Sequence, residues 1–260
     1  MYDQKLRGQK KIVECSDGTK TMYSCEFDEA YHSSRDGALN ESLQKHVIPA
    51  LQLQSNKTTL NILDICYGLG YNTLATIYYV KRENLDVKLN IVSPEFDEDL
   101  VKSLKDFDYP KEFDGLQHII QAISTNLVYE DEHLKIQVII DDARAVIRSI
   151  DIKFDIVYQD AFSPKVNPML WSYEYFKDIS AIVRDDAIIT TYSTAAPTRM
   201  ALYENGFKLH SYQGKNTRKS LIVSKQPINT LEPIDMELKI QRNPDAKSIK
   251  DSDITHKYAQ

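Results

Sequence analysis

LNILDICYGLGYNTL, residues 60–74, decides the fold. From Leu60 to Cys66 apolar side chains recur at nearly every second or third position, too short a run for a surface helix and suited to a strand buried on both faces. Asp64 puts a carboxylate inside that strand. Gly68 and Gly70 remove Cβ where the chain must turn sharply and where a ligand can approach the backbone, and Asn72 to Val80 resumes with helical spacing. Strand, glycine turn and helix form a nucleotide-binding crossing. The alternative for a lone GxG is a tight strand-to-helix turn with no ligand.

Working outward, strands are predicted at 60–66, 88–93, 134–141, 154–160 and 187–193, with helices over 71–82, 97–105, 112–123, 142–150, 173–183 and 195–206 between and after them. Strands alternating with helices imply a parallel sheet. FKLHSYQ (207–213) and KSLIVSK (219–225) read as a closing antiparallel pair, giving an α/β fold with a mostly parallel seven-stranded sheet. Ahead of it, KKIVEC and TKTMYSCEF flank the turn residues SDG and predict a β-hairpin. Ala38, Leu39, Leu43, Val47, Ile48 and Leu51 then share one helical stripe that Pro49 kinks or ends. The expected organisation is an N-terminal hairpin and capping helix over 1–55, the main domain over 56–231, and a polar, partly disordered tail over 232–260.

The chain of 260 residues is 42% hydrophobic, and no apolar run approaches the roughly 18 residues a membrane helix needs. MYDQKLRGQKK lacks the apolar core of a signal peptide, which predicts a cytoplasmic protein without a membrane partner. Cys15, Cys25 and Cys66 show no metal-ligand spacing, so no metal is expected. A net charge of −6 argues against a protein that coats nucleic acid. Local charge differs: Lys208, Lys215, Arg218, Lys219 and Lys225 lie in a stretch free of acids, and Lys5, Arg7, Lys10 and Lys11 follow the amino terminus. Together they suggest a basic face, the alternative being solvated charge on loops and strand edges.

In an open parallel sheet, ligands collect beyond the carboxyl ends of the strands. Asp64 and Asp160 end two strands here, Glu95 follows another, and Asp141 and Asp142 lie at the end of a fourth. A carboxylate in the position of Glu95 is placed to accept ribose hydroxyls. Asp142, or equally Asp141, can accept the exocyclic amine of adenine, or simply cap the next helix. No third glycine and no GK[ST] follows Gly70, which disfavours dinucleotides and nucleoside triphosphates and leaves an adenosyl ligand without a pyrophosphate. S-adenosylmethionine is the common one.

DGTKTMYSCEFDEAYHSSRDGALNES (17–42), LDICYGLGYN (63–72), YQDAFSPKVNPMLW (158–171) and TYSTAAPTRMALYENGF (191–207) resemble the methyltransferase domain of the MnmC enzymes, in its stand-alone form without the FAD-dependent oxidase domain. The resemblance implies a Rossmann-like class I S-adenosylmethionine-dependent methyltransferase. Its implied reaction is methylation of the aminomethyl group of wobble 5-aminomethyl-(2-thio)uridine in tRNA. Implied partners are the anticodon region of tRNA and a separate enzyme that supplies the aminomethyl intermediate. By the same resemblance the catalytic aspartate falls on Asp160 and the cofactor contacts on Gly68, Gly70, Asn72, Glu95 and Asp142, with Tyr31, Ser33 and Glu41 beside the methionine moiety. Two departures stand out: Cys66 replaces a glycine of the family's cofactor loop, and Ala161 and Ser163 differ from its catalytic motif.

Phe162 is expected to wall the pocket against the uracil, Lys165 to reach an anticodon phosphate, and Lys215, Arg218 and Lys219 to form the tRNA surface. Trp171 reads better as core. Two other functions compete with this one. A polyamine synthase shares the sheet and an aspartate after the fourth strand, but its glycine loop is denser than CYGLG. A catalytically silent RNA-binding protein of the same fold would account for Cys66, yet Glu95, Asp142 and Asp160 are all retained.

Overall fold

A computed structural model describes Leu6 and residues 8–254. The expected hairpin is present as β1 (Lys10–Glu14) and β2 (Lys20–Ser24), to which β3 (Glu29–Ala30) adds a third antiparallel strand in a small separate sheet. The apolar stripe that follows forms α1 (Ala38–Glu41), a π-helical turn over Ser42–Val47, and α2 (Ile48–Leu53). Pro49 does not end this helix but sits in the first turn of α2. Its ring would strike the carbonyl four residues back in a plain α-helix, and the wider turn just before it removes that conflict.

The main sheet is built from β4 (Thr59–Ile65), β5 (Lys88–Glu95), β6 (Val128–Glu130), β7 (Leu134–Ile140), β8 (Phe154–Gln159), β9 (Val183–Thr191), β10 (Lys208–Tyr212), β11 (Ser220–Ser224) and β12 (Glu232–Pro233). Its order is β12-β10-β11-β9-β8-β4-β5-β7-β6, nine strands where the sequence predicts seven. The two additions are the edges β6 and β12, three and two residues long and without a core-facing apolar period. The winding reverses between β4 and β8, which pair in parallel side by side. Crossover helices are α3 (Tyr71–Arg82), α4 (Glu98–Ser103) with α5 (Gln117–Asn126), α6 (Ala143–Ser149), α7 (Tyr173–Ile182) and α8 (Ala196–Glu204).

Successive residues of a strand face opposite sides of a sheet. In β4, Leu60 and Ile62 therefore join one core with Leu43, Val47 and Leu74, and Leu63 and Ile65 join another with Phe154, Trp171 and Phe176. Asp64 shares the side of Ile62, beneath α3 and the π turn. Among the described residues no helix is long and apolar enough to cross a membrane.

Residues 232–254, expected as a partly disordered polar tail, are ordered; 255–260 lie outside the described residues. β12 pairs with β10, and α9 (Met236–Arg242) is capped by the Asp235 carboxylate. Beyond it Asp251 receives both terminal nitrogens of Arg144 at 2.9 and 2.6 Å and the Ser172 hydroxyl at 2.7 Å. With Met236 buried in the core and Ser248 bonded to Glu204, this bidentate pair holds a segment that has few large apolar groups. Because the Arg144 guanidinium is almost wholly buried, Asp251→Ala leaves it without its hydrogen-bonded carboxylate, with only the more distant Asp178 and Asp142 to offset its charge. The expected loss is about 2 kcal/mol of unfolding free energy, less than for a fully enclosed pair because Asp251 keeps some water contact. Urea denaturation of the two proteins measures it.

Candidate active site

Three residues in five have left-handed backbone after β4: Cys66 (φ 65°), Gly68 (φ 54°) and Gly70 (φ 72°). A Cβ at Gly68 would lie 3.2 Å from the Tyr31 ring, and one at Gly70 would lie 2.7 Å from the Tyr67 hydroxyl. The turn therefore needs both glycines. Cys66 adopts that conformation despite its side chain, at a cost of roughly 1 kcal/mol. Burial pushes its thiol well above the usual range, so it remains a thiol.

Glu95 ends β5 beside this turn. Its Oε2 accepts the Gly68 amide hydrogen at 2.8 Å, and its Oε1 accepts those of Phe96 and Asp97 at 2.7 and 2.8 Å. A carboxylate has about four acceptor directions, so one remains, on Oε2. Burial raises the Glu95 carboxyl against the opposing pull of the Asp97, Gly68 and Phe96 amides. Asp142 caps α6 through Oδ1, which accepts from the amides of Arg144 and Ala145 at 2.9 and 3.1 Å. Its Oδ2 remains open, so the cap and an adenine contact are compatible.

Asp160, just past β8, stands across from Asp64. The Asn72 amide nitrogen bridges them, 2.9 Å from Asp160 Oδ2 and 3.4 Å from Asp64 Oδ1, and the Thr73 hydroxyl donates to Asp64 Oδ2 at 2.8 Å. Burial pushes Asp64 up to about 7, and the Asp160 charge adds to the rise against the Thr73 hydrogen bond. Burial would also raise Asp160, but the His46 ring, with His32 and the Asn72 amide, outweighs it and holds Asp160 below the usual carboxylate range. Close carboxyl groups avoid double ionisation in this way, one neutral and one charged. Around them His32 Nδ1, His46 Nε2 and Asn72 Oδ1 are buried without a hydrogen-bond partner. Buried polar atoms are normally paired, so this concentration marks a place built for a polar ligand.

Residues 111–227 match the Methyltransf_30 family of S-adenosyl-L-methionine-dependent methyltransferases. The crystal structure of MnmC2 from Aquifex aeolicus superposes with a TM-score of 0.84 at 29% identity, covering 96% of this chain and 81% of that one. The chain is similar in sequence and fold to the MnmC-type methyltransferases. An uncharacterised protein of Methanocaldococcus jannaschii is 28% identical over 225 residues, 85% of this chain and 61% of its own length. The tRNA 5-methylaminomethyl-2-thiouridine biosynthesis bifunctional protein MnmC of Paraburkholderia phymatum is 24% identical over 79% of this chain, which spans only 33% of that relative.

The matched family is S-adenosyl-L-methionine-dependent, and the residues present fit that cofactor. Gly68 and Gly70 leave the cradle that a Cβ would fill, Tyr31 covers it, and Glu95 and Asp142 each keep an acceptor for ribose and adenine. With three directions already used, Glu95 has room for one ribose hydroxyl; a second would displace the Gly68 amide.

The other expected site residues separate. Ser33 and Glu41 are joined to each other and to a buried ion cluster. The Glu41 carboxylate takes the Ser33 amide at 2.6 Å and Lys45 Nζ at 2.6 Å, and Lys45 also reaches Asp36 at 2.7 Å. Arg218 closes that cluster on Asp36 and the Ser33 hydroxyl at 3.4 and 3.1 Å. Phe162 stacks on Phe27 with centroids 4.7 Å apart and meets Tyr31 at 4.9 Å, while Trp171, fully buried, donates to the Phe162 carbonyl at 2.7 Å. Trp171 is thus core and also pins the loop after Asp160. Lys165 is exposed on that loop.

Lys215, Arg218 and Lys219 are exposed between β10 and β11, at the site end of the sheet. The basic face read from the whole stretch divides. Lys208 lies at the far end of the hairpin, and Lys225 there pairs with Asp185. Lys10 is paired with Asp97, and Lys5 and Arg7 lie outside the described residues. Sequence reasoning passed over His46, whose signal is its place three residues after Leu43 on the buried stripe.

Asp64 titrates near ~3.9 when unfolded and near 7 when folded, so the fold binds the extra proton between those values. Its stabilising contribution is full at low pH and lost as pH rises from ~4 through 7. Asp64→Asn removes that loss: relative to wild type, its unfolding free energy should gain on the order of 2–3 kcal/mol between pH 5 and pH 8. Urea denaturation of both proteins across that range checks this; a difference between them that stays constant with pH would instead mean that Asp64 is ionised in the fold.

Proposed function

We propose that the protein transfers a methyl group from S-adenosylmethionine to the aminomethyl nitrogen of wobble 5-aminomethyl-(2-thio)uridine in tRNA. The observation that carries this reading is Asp160: a near-buried carboxylate, held charged, beside the glycine turn and amid unpartnered polar atoms. The tRNA modification in the names of the bifunctional relatives supports the substrate.

The bound cofactor would supply an electrophilic methyl group on a sulfonium; the chain's task is to present a neutral nitrogen to it. Asp160 is a poor base for that nitrogen. Full proton transfer from an alkyl ammonium near ~10 to a carboxylate near ~3.9 is uphill by roughly 8 kcal/mol, and Asp160 lies lower still. As a hydrogen-bond acceptor it orients the nitrogen lone pair, where good positioning accounts for about 7–11 kcal/mol. The Phe27, Phe162 and Tyr31 rings would form one wall beside the nucleobase, with Glu29 fixing the next residue by accepting from the Ser163 amide at 2.9 Å.

The deciding experiment follows labelled methyl from S-adenosylmethionine into tRNA carrying aminomethyluridine. Wild type should label the wobble uridine, and Asp160→Ala should lower kcat at least about 100-fold while retaining cofactor binding. A wild-type protein that binds this tRNA and transfers nothing would overturn the reading. Separately, Lys215→Gln with Lys219→Gln should weaken tRNA binding and reduce the salt dependence of log Kd by about one for each phosphate contact removed. Unchanged affinity and slope would take that loop out of the tRNA surface.

A further inference from the structure

His46 is set in the π turn with its ring wholly buried. Nδ1 lies 2.9 Å from the Thr190 hydroxyl of β9, while Nε2 faces Asp160 Oδ1 at 3.4 Å and has no hydrogen-bond partner. Leaving a buried nitrogen unmatched is costly, and a plain apolar side chain at this core position would avoid that cost. In the tautomer that donates Nδ1–H to the Thr190 hydroxyl, the free lone pair is on Nε2, turned toward the carboxylate.

We infer that His46 holds the proton released by the substrate nitrogen, acting through Asp160, so that the buried pair rather than Asp160 alone handles the proton. The inference rests on the methyl-transfer reading above. The nitrogen lone pair forms the new bond to the methyl carbon as that carbon's bond to sulfur breaks, its electron pair staying on sulfur. The nitrogen is then a positively charged secondary ammonium with two hydrogens. One proton shifts across Asp160 Oδ1 to His46 Nε2 in a single concerted step, so the carboxylate never holds it, leaving a neutral secondary amine and an imidazolium beside the carboxylate. Charge is conserved, and no other reactant is needed.

A neutral imidazole is intrinsically a stronger base than a carboxylate, so it is the better holder for a proton leaving an amine. The groups facing the ring are Asp160 and Tyr158 from β8 and its end, Asp64 from β4, and His32, with Lys45 and Glu41 on its own helical segment. Lys45 is already neutralised by Asp36 and Glu41, so Asp160 is the charge nearest the imidazolium. His46 is a positioning residue for the reaction, not one that touches the substrate.

Two measurements on the full chain test this. In the first, histidine imidazole signals are titrated by NMR, with the His46 resonance assigned from its loss in His46→Gln. Its midpoint should fall by at least one pH unit in Asp160→Asn, and an unmoved midpoint would overturn the pairing without any substrate present. In the second, single-turnover methyl transfer to tRNA carrying aminomethyluridine is followed from pH 5 to 9. His46→Gln should lower the rate at least 30-fold, leave KM for tRNA unchanged and make the rise of log rate with pH on the acid side less steep, leaving only the slope of about one that ionisation of the substrate amine imposes. A variant with the wild-type steepness overturns the relay. Failure of wild type to methylate at any pH would overturn the tRNA reading, and with it the relay as a step in that reaction, while the titration would still decide whether the two side chains are paired.

Discussion

Two carboxyl groups, Asp64 and Asp160, are buried at the adjoining ends of β4 and β8, and they cannot both carry a charge cheaply. The molecule assigns the proton to Asp64, which is enclosed by α3 and receives the Thr73 hydroxyl, and leaves the charge on Asp160, which faces His46. Asn72 donates to both, so the first turn of α3 holds the pair in register. The same turn follows Gly70 directly. Placement of the glycine loop and the state of Asp160 therefore depend on one helix start.

The segment before the sheet completes that arrangement. Lys45, Asp36 and Glu41 form a buried ion cluster that fixes the Ser33 amide, while the β10–β11 loop docks on it through Arg218 and the Gln44 side chain. Such a cluster stabilises little over apolar packing, but breaking it leaves an uncompensated charge, so its geometry is held tightly. The site thus has a wall assembled from both ends of the chain.

How much of this was readable from sequence depends on the range of the interactions. β4, the glycine turn and the seven longer strands announce themselves because apolar period and turn residues are local properties. Asp160 was legible because a strand ending in an acid is also local. Glu41 reads as a cofactor contact from sequence, and its carboxylate accepts from Lys45 one turn away and from the Ser33 amide; an acid on a helix reads the same in either role. β6 and β12 are too short to carry a period, and residues 232–254 are held by contacts such as Arg144 to Asp251, which leave no pattern in the chain. His46 gains its meaning from Thr190 and Asp160, both more than a hundred positions away.

The π turn at Ser42–Val47 amounts to one residue more than a plain α-helix would use. An extra residue turns everything beyond it by about 100° relative to what came before. Upstream of the turn Leu39 packs into the core as an ordinary cap; within it His46 is brought round to the end of β8. A roofing helix and a wall of the reaction chamber are thus separated by a single codon. Changes of length in this stretch, more than changes of side chain, would divide relatives that share the chemistry from those that share only the architecture.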